Sequence, residues 1–478
     1  MRENKLYMTL RSFLELPYSE LEELNLEAKS RQLSLTSDYD VEQYYKEILA
    51  KENRLKAVTV LFSDIEGKLH MLDYDKKYLL SSYDSLTFDG SSVRGFAKVS
   101  ESDLRLLIDW RSLRWVPSDV FSGGKVFVFG IVANRDGTIH PSDFRGRLKM
   151  YLDELSRTSQ YSVNIAVECE GFLFNGQNAE QTFNSRDGFI LASLGGYYSS
   201  LPNDPLRIFI DRFAEAQRAL GFENEKDHPE VAPSQFELNY KHTDALVAAD
   251  QVMLYKLLAR QIAYNMEKTA SFLPKPISGV NGSGMHVNLS IWQNDKNLFF
   301  DQTTQAMSEF ANKFIKNVLF LAEDLCLVLN PSVNAYRRLD PNFEAPNQIK
   351  VSANDRTSMI RIPWSTSRSA RIEIRSVAPD INPYLAFYCI LKAGLESRHE
   401  IVEASEHRFL PSNIYDAIQK FEQSTFIGEI IGQETAKKYK DRKVMSANRC
   451  PKELGTIVKT EEVIFHHEVT NQYIWSRF

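Results

Sequence analysis

The chain has 478 residues, 43% hydrophobic, 25% charged and 12% aromatic, with a formal net charge of −6 and charges of both signs interspersed. That is globular composition with material for a core and, by length, two to four domains; it excludes a basic nucleic-acid face, a membrane-spanning run of ~20 apolar residues and a signal-peptide core behind Met1-Arg2-Glu3-Asn4-Lys5. Cys169, Cys326, Cys389 and Cys450 are far apart with no CxxC spacing, so they read as free thiols and a cytoplasmic location is expected.

Residues 1–55 are charged and helix-prone, with helical spacing over 20–24 and 41–49, and read as a helical extension. Residues 56–142 read as a small domain with a sheet. In it, 57–62 and 69–74 flank Glu66-Gly67 as a hairpin, and 125–132 is a further strand closed by the turn Arg135-Asp136-Gly137. Residues 143–478 mix both periods and read as a larger α+β domain. Helices are predicted over 144–158, 206–220, 243–268 and 309–329, the last stopping at Asn330-Pro331. Pro383 opens another, running to about residue 397, and two short helical patterns follow Leu410. Residues 165–174 suit a strand, and no internal repeat or low-complexity linker interrupts the chain.

Five polar clusters stand out. In Val280-Asn281-Gly282-Ser283-Gly284-Met285-His286, two glycines let the backbone approach a ligand. The alternation that follows places His286, Asn288 and Ser290 on one strand face and Val287, Leu289 and Ile291 on the other. Glu168 and Glu170 share one face of an otherwise apolar strand, which is costly without a cation. His228-Pro229-Glu230-Val231-Ala232-Pro233-Ser234-Gln235-Phe236-Glu237 reads as a rigid, irregular segment with two carboxylates; alone, it is equally a solvated loop. Arg371, Glu373 and Arg375 share a strand face, with Arg337, Arg338, Arg356 and Arg361 upstream, and many guanidiniums near carboxylates fit phosphate recognition. Phe88-Asp89-Gly90-Ser91-Ser92-Val93-Arg94-Gly95-Phe96 by itself is a turn with an Asx hydrogen bond. Glu168, Glu170, Glu230, Glu237 and Glu373 with His286 make a hard ligand set suited to Mg²⁺ or Mn²⁺ rather than structural zinc. Divalent ions with arginines fit phosphoryl transfer from a nucleotide, yet no Walker A or protein-kinase signature is present. The residues alone therefore reach a metal-dependent nucleotide-using enzyme without naming its substrate.

In this order, the clusters resemble glutamine synthetase of the bacterial, dodecameric type I class, over residues 56 to about 400. The resemblance rests on the Asp89 segment, Glu168-Cys169-Glu170, the His228 to Glu237 segment, Lys275-Pro276 through His286, Asn334-Ala335-Tyr336-Arg337-Arg338-Leu339-Asp340-Pro341-Asn342-Phe343-Glu344-Ala345-Pro346, the Arg356 segment and Arg371 to Arg375. It implies a β-grasp-like small domain and a large catalytic α/β domain with a curved antiparallel sheet. It also implies ATP with two or more Mg²⁺ or Mn²⁺ per site, glutamate and ammonium as substrates, and a dodecamer of two hexameric rings with shared sites. By the resemblance, Glu170, Glu230 and Glu237 hold one metal, and Glu168, His286 and Glu373 the other. Asn281, Gly282, Arg338 and Arg375 grip glutamate, Arg356 and Arg361 contact phosphates, and Asn288 (where the family usually has histidine), Ser290 and Arg371 lie by the nucleotide. Asp89 and Ser92 come from the neighbouring subunit, and Tyr197 and Glu344 complete an ammonium pocket, with Glu344 closing over a γ-glutamyl phosphate intermediate. The chain departs from the family pattern at Pro229 for histidine, Ser234 for glycine, Gly171 for a bulky residue, and Asp355 and Thr357 around Arg356. The leading expectation is a glutamate–ammonia ligase. Its rivals are a γ-glutamyl-amine ligase of the same superfamily and a catalytically silent relative, which would have lost metal ligands.

Overall fold

A computed structural model describes residues 12–98, 102–183, 188–339, 345–396 and 408–448. Glu344, Cys450, Met1 to Lys5 and the expected helix end at 397 lie outside the described residues.

The small sheet has five strands in the order Leu69–Asp75, Ala57–Ser63, Lys125–Ala133, Asp103–Trp115 and Thr87–Asp89. Its central pair, Ala57–Ser63 with Lys125–Ala133, is parallel and the other pairings are antiparallel, as a β-grasp-like domain requires. All of Ala57–Ser63 is buried, because alternate residues serve different cores. Val58, Val60 and Phe62 pack with Leu21, Val41, Tyr45 and Leu49 from helices Tyr18–Gln32 and Asp38–Lys51. Leu61, Phe127 and Phe129 face Phe144, Leu148 and Tyr151 of the large domain. The helical extension is therefore the lid over the outer face of this sheet, and each buried side chain of this size contributes about 1.5–3 kcal/mol.

Two buried polar groups fasten the layers together. Asn25 is fully buried, donates to the Trp115 and Ala219 carbonyls at 2.8 and 2.7 Å and accepts from the Trp115 N–H at 2.9 Å. Arg145, also fully buried, forks onto Asp250 at 2.8 and 2.7 Å and reaches Asp109 of the small sheet at 2.9 Å. Tyr384 completes the network with a 2.7 Å bond to Asp250. A buried ion pair adds little over an apolar substitute, yet it is costly to break, and this one fixes how the two sheets dock.

The large sheet has ten strands, is antiparallel except for one edge pair, and curls into a half-barrel. Its main path runs Gln348–Ser352, Ser358–Arg361, Ile372–Ile374, Met285–Gln293, Tyr161–Asn175, Gln235–Tyr240 and Asn224–Pro229. Helices Phe144–Ser159, Pro205–Ala219, Ala245–Asn265 and Pro383–Glu396 lie in the same core as the inward residues of this sheet. Aspartates at helix starts explain several boundaries: the carboxylates of Asp143, Asp204 and Asp244 accept first-turn N–H bonds.

The structure corrects several expected elements. The helix expected over 243–268 is shorter, because Thr243–Asp244 pairs with Tyr161–Asn175 and Lys268–Ser271 is itself a strand. The helix expected over 309–329 breaks at Leu321 into Glu309–Phe320 and Ala322–Leu329, both packed on Pro383–Glu396. Among the described residues the tail carries three helices, Ile414–Gln423, Thr425–Ile431 and Gln433–Asn448, rather than two. The His228 to Glu237 segment is a hairpin of Asn224–Pro229 and Gln235–Tyr240, not an irregular loop.

Candidate active site

Strand register assembles the site. In an antiparallel pair, directly opposed residues share a face. His286 stands opposite Glu168, Glu170 opposite Glu237, and Glu237 opposite His228. On the other side of Met285–Gln293, Asn288 is opposite Glu373, and Glu373 is opposite Arg361. The apolar partners in the same strands, Val167, Cys169, Val287, Leu289 and Ile374, turn into the core. One sheet face thus becomes a row of carboxylates, imidazoles and guanidiniums.

That row floors a cleft of about 200 Å³. Glu168, Glu170, Glu230, Glu237, His286, Glu373, Tyr197, Asn281, Gly282, Arg338, Arg356, Arg361 and Arg375 line it. Asn288, Ser290 and Arg371 line a second cavity of about 330 Å³, which shares Glu168 with the first. Asp89 and Ser92 are not in this cleft. Asp89 ends an edge strand of the small sheet, exposed, with its carboxylate accepting from the Ser91 and Ser92 hydroxyls at 2.6 and 2.7 Å. Those bonds hold its carboxyl below the usual range.

Among the described residues, two groups of side chains place ligand atoms within 4.8 Å of one another: Glu168, His286 and Glu373; and His228, Glu230 and Glu237. Glu170 lies between them, with one oxygen taken by the Gly284 N–H at 2.8 Å and Gln235 Nε2 at 3.2 Å, and the other 4.0 Å from His286 Nε2. Burial, then repulsion from Glu170, Glu168 and Glu230, pushes Glu237 well up. Burial also raises Glu170, with Glu230 adding and His286 opposing. Burial is the largest influence on Glu168 and acts upward, but the hydrogen bond and charge of His286, the bond from Asn288 and the charge of Lys226 together outweigh it, and the net shift is downward. Anions crowded in a buried cleft are unfavourable until a cation neutralises them. Oxygen-rich donor sets with one or two imidazoles fit Mg²⁺ or Mn²⁺, so the residues present suit divalent ions.

The arginines and the glycine loop face these carboxylates. Glu373, fully buried, accepts from Arg361 Nε and Arg375 Nη1, both at 2.5 Å. Arg338, also buried, donates to the Arg375 and Val377 carbonyls at 2.9 and 3.2 Å. A side chain at Gly284 would strike the Arg338 guanidinium, and one at Gly282 the Pro274 carbonyl. The loop is therefore glycine-rich because Arg338 passes directly beneath it.

The sequence reasoning missed several residues of the site. His228 joins Glu230 and Glu237, and Lys226 lines the cleft. Gln235 braces the floor, donating to Glu170, to the Gly282 carbonyl at 3.1 Å and to Ser283 Oγ at 3.1 Å. Its signal was present: a glutamine two residues before Glu237 on one strand shares its face. The departures also have local causes. Ser234 stands at φ 63°, the left-handed region natural to glycine, and its hydroxyl compensates with bonds to Ser193 O at 3.0 Å and from Ser193 N at 2.7 Å. Any side chain at Gly171 would begin 2.6 Å from the Phe236 ring.

Comparison with known proteins places both domains. Residues 141–456 match the glutamine synthetase catalytic domain and residues 54–132 the glutamine synthetase β-grasp domain. Glutamine synthetase of Methanosarcina mazei is 34% identical over 409 residues, 81% of this chain and 90% of the relative. That of Clostridium saccharobutylicum is 34% identical over 412 residues, 82% and 91% of the two chains. Among solved structures, Plasmodium falciparum glutamine synthetase superposes with a TM-score of 0.80 at 20% identity, covering 90% of this chain and 99% of that one, a likeness of fold. GmaS without ligand superposes at 0.71 with 25% identity, covering 83% and 94%. With both of its domains matched and curated relatives aligned over four-fifths of its length, the chain belongs to the glutamine synthetase family.

Proposed function

We propose that the protein is an ATP-dependent glutamate–ammonia ligase, forming glutamine through γ-glutamyl phosphate. The observation that carries the reading is one cleft with carboxylate–imidazole groups on its floor, guanidiniums on its wall, and a second cavity joined to it through Glu168. In this reading Glu168, His286 and Glu373 would hold one divalent ion, and Glu230 and Glu237, with Glu170 or His228, the other. The ions, when bound, supply charge neutralisation at the transferring phosphoryl group. Arg356 and Arg361 bind the phosphates, and Arg371 and Ser290 border the nucleotide. Asn281, Gly282, Arg338 and Arg375 orient glutamate so that its γ-carboxylate meets the phosphoryl group in line. Asp89 reaches the cleft of a neighbouring subunit in a dodecamer of two hexameric rings. Its low carboxyl favours the anion, which attracts ammonium beside Tyr197 and takes a proton from it, freeing the ammonia that attacks γ-glutamyl phosphate. By the family resemblance, Glu344 would keep water from this pocket. Three buried cysteines without disulfide partners support a cytoplasmic setting.

A γ-glutamyl-amine ligase is the second reading. GmaS, a γ-glutamylmethylamide synthetase, is among the structural neighbours. The Tyr197 and Tyr198 rings stack at 3.8 Å, with Tyr198 held at φ 54°, and both stand edge-on to His228 beside an exposed Val231. This gives an apolar shelf next to Glu230 on which an alkyl group fits. A silent relative is disfavoured, because all six expected ligands line the cleft. The test is phosphate release from ATP with glutamate, Mg²⁺ and a panel of amines. Turnover with ammonium alone is expected; turnover that ignores ammonium and requires a larger amine overturns the first reading in favour of the second.

A further inference from the structure

Asn288 stands on the Met285–Gln293 strand two residues after His286, and its side chain is buried. Its amide is used at both ends. Nδ2 donates to Glu168 Oε1 at 3.1 Å, and Oδ1 accepts from Arg371 Nε at 3.0 Å. Glu168 turns its other oxygen to His286 Nδ1 at 3.1 Å, and Arg371 also donates to the Ser369 carbonyl at 3.2 Å. The orientation of the amide follows from its partners, since a flipped amide would set N–H against guanidinium N–H and oxygen against carboxylate.

A carboxylate and a guanidinium on either side of a neutral group attract one another. Glu168 and Arg371 both border the second cavity, and Asn288 stands between them, bonded to each. A carboxamide satisfies both at once, giving the anion a donor and the cation an acceptor. We propose that Asn288 is a positioning residue that keeps Arg371 off Glu168. Glu168 is thereby left to a divalent cation with His286 and Glu373, and Arg371 is left facing the cavity. The role differs from a nucleotide contact because it acts before any nucleotide binds. It rests on the metal-dependent ligase reading above.

The experiment is Mn²⁺ binding to the nucleotide-free enzyme, followed by electron paramagnetic resonance, for wild type, Asn288→Ala, Arg371→Ala and the double variant. Removing the amide lets Arg371 pair with Glu168, so Asn288→Ala should weaken one class of Mn²⁺ site about tenfold or more, the usual effect of losing such support. Arg371→Ala should bind Mn²⁺ as wild type does. The double variant should regain wild-type affinity, because no guanidinium is left to occupy Glu168. Asn288→Ser, which disturbs packing less, should weaken Mn²⁺ in the same direction and serves if the alanine variant does not fold. Unchanged Mn²⁺ affinity in both Asn288 variants overturns the proposal, as does a double variant as weak as Asn288→Ala. Failure of the ligase reading is distinguishable, since wild type itself would then bind no Mn²⁺ at either group and turn over no ATP with any amine.

Discussion

Glu373→Gln is the sharpest single perturbation of the site, because it keeps shape and removes one charge. Glu373 is fully buried and accepts from Arg361 and Arg375 at 2.5 Å each, with His286 Nδ1 3.6 Å away. A glutamine can accept from one guanidinium only, and its amide N–H groups then face the donors of the other. Removing one member of a buried ion pair costs about 3–5 kcal/mol. Arg361 is 30% exposed, and solvent screens that side, so the lower figure applies. To the extent that this cost is borne by the assembled site rather than the fold, ~3 kcal/mol at about 1.4 kcal/mol per tenfold is a loss of roughly two decades in kcat/KM for ATP. Mn²⁺ affinity should fall as well, by about ten- to a hundredfold, since one ligand of the Glu168 group is neutralised. Steady-state kinetics at saturating glutamate and ammonium measure the first, and electron paramagnetic resonance the second. Urea unfolding shows whether the cost falls on the fold instead. A variant within about threefold of wild type in kcat/KM, with unchanged Mn²⁺ binding and unchanged stability, would refute the reasoning.

Arg145→Leu strands Asp109 and Asp250 without their shared cation and should lower the unfolding free energy by about 3–5 kcal/mol in urea titrations; a loss below about 1 kcal/mol would show that the clamp is dispensable. Burial, with Lys438 adding and Glu434 opposing, draws the His140 imidazole down to about 4, and its Nδ1 accepts from the Ser142 N–H at 3.1 Å. As pH falls, the unfolded chain takes up this proton first, so the contribution is whole above about 6.5 and is lost towards 4. Partial solvent contact reduces its size to about 2 kcal/mol. Asn supplies an acceptor where Nδ1 stands, so His140→Asn should lose less stability than wild type between about pH 7 and pH 5, and an equal loss would exclude His140 as the cause. If Asp89 serves a neighbour's cleft, Asp89→Asn and Glu230→Gln subunits, each inactive alone, should regain activity when mixed into one assembly. No recovery in verified mixed assemblies would rule out shared sites.

The legible part of this protein was local. Alternation over the strand after Gly284 placed His286, Asn288 and Ser290 on one face, and the same period paired Glu168 with Glu170. Those assignments need only the geometry of one strand. The helix expected over 309–329 failed at Leu321 because its apolar period continues across the break, and only packing on Pro383–Glu396 reveals it. The hairpin around Glu230 was hidden by Pro229 and by Ser234, whose left-handed backbone is held by a bond partner 41 residues away. No role for His228 is legible in its segment, since its partnership with Glu230 and Glu237 depends on how that hairpin folds back.

By itself, then, the sequence determined the chemistry available: the carboxylates, the arginines, the glycine loop and the faces from which they project. The tertiary structure decided their company. Pairing of two strands 118 residues apart sets His286 against Glu168, and a contact across 83 residues sets Asn288 between Glu168 and Arg371. Strand register is chosen by the burial of whole faces and the closing of whole hydrogen-bond ladders, sums over many residues that no local pattern contains.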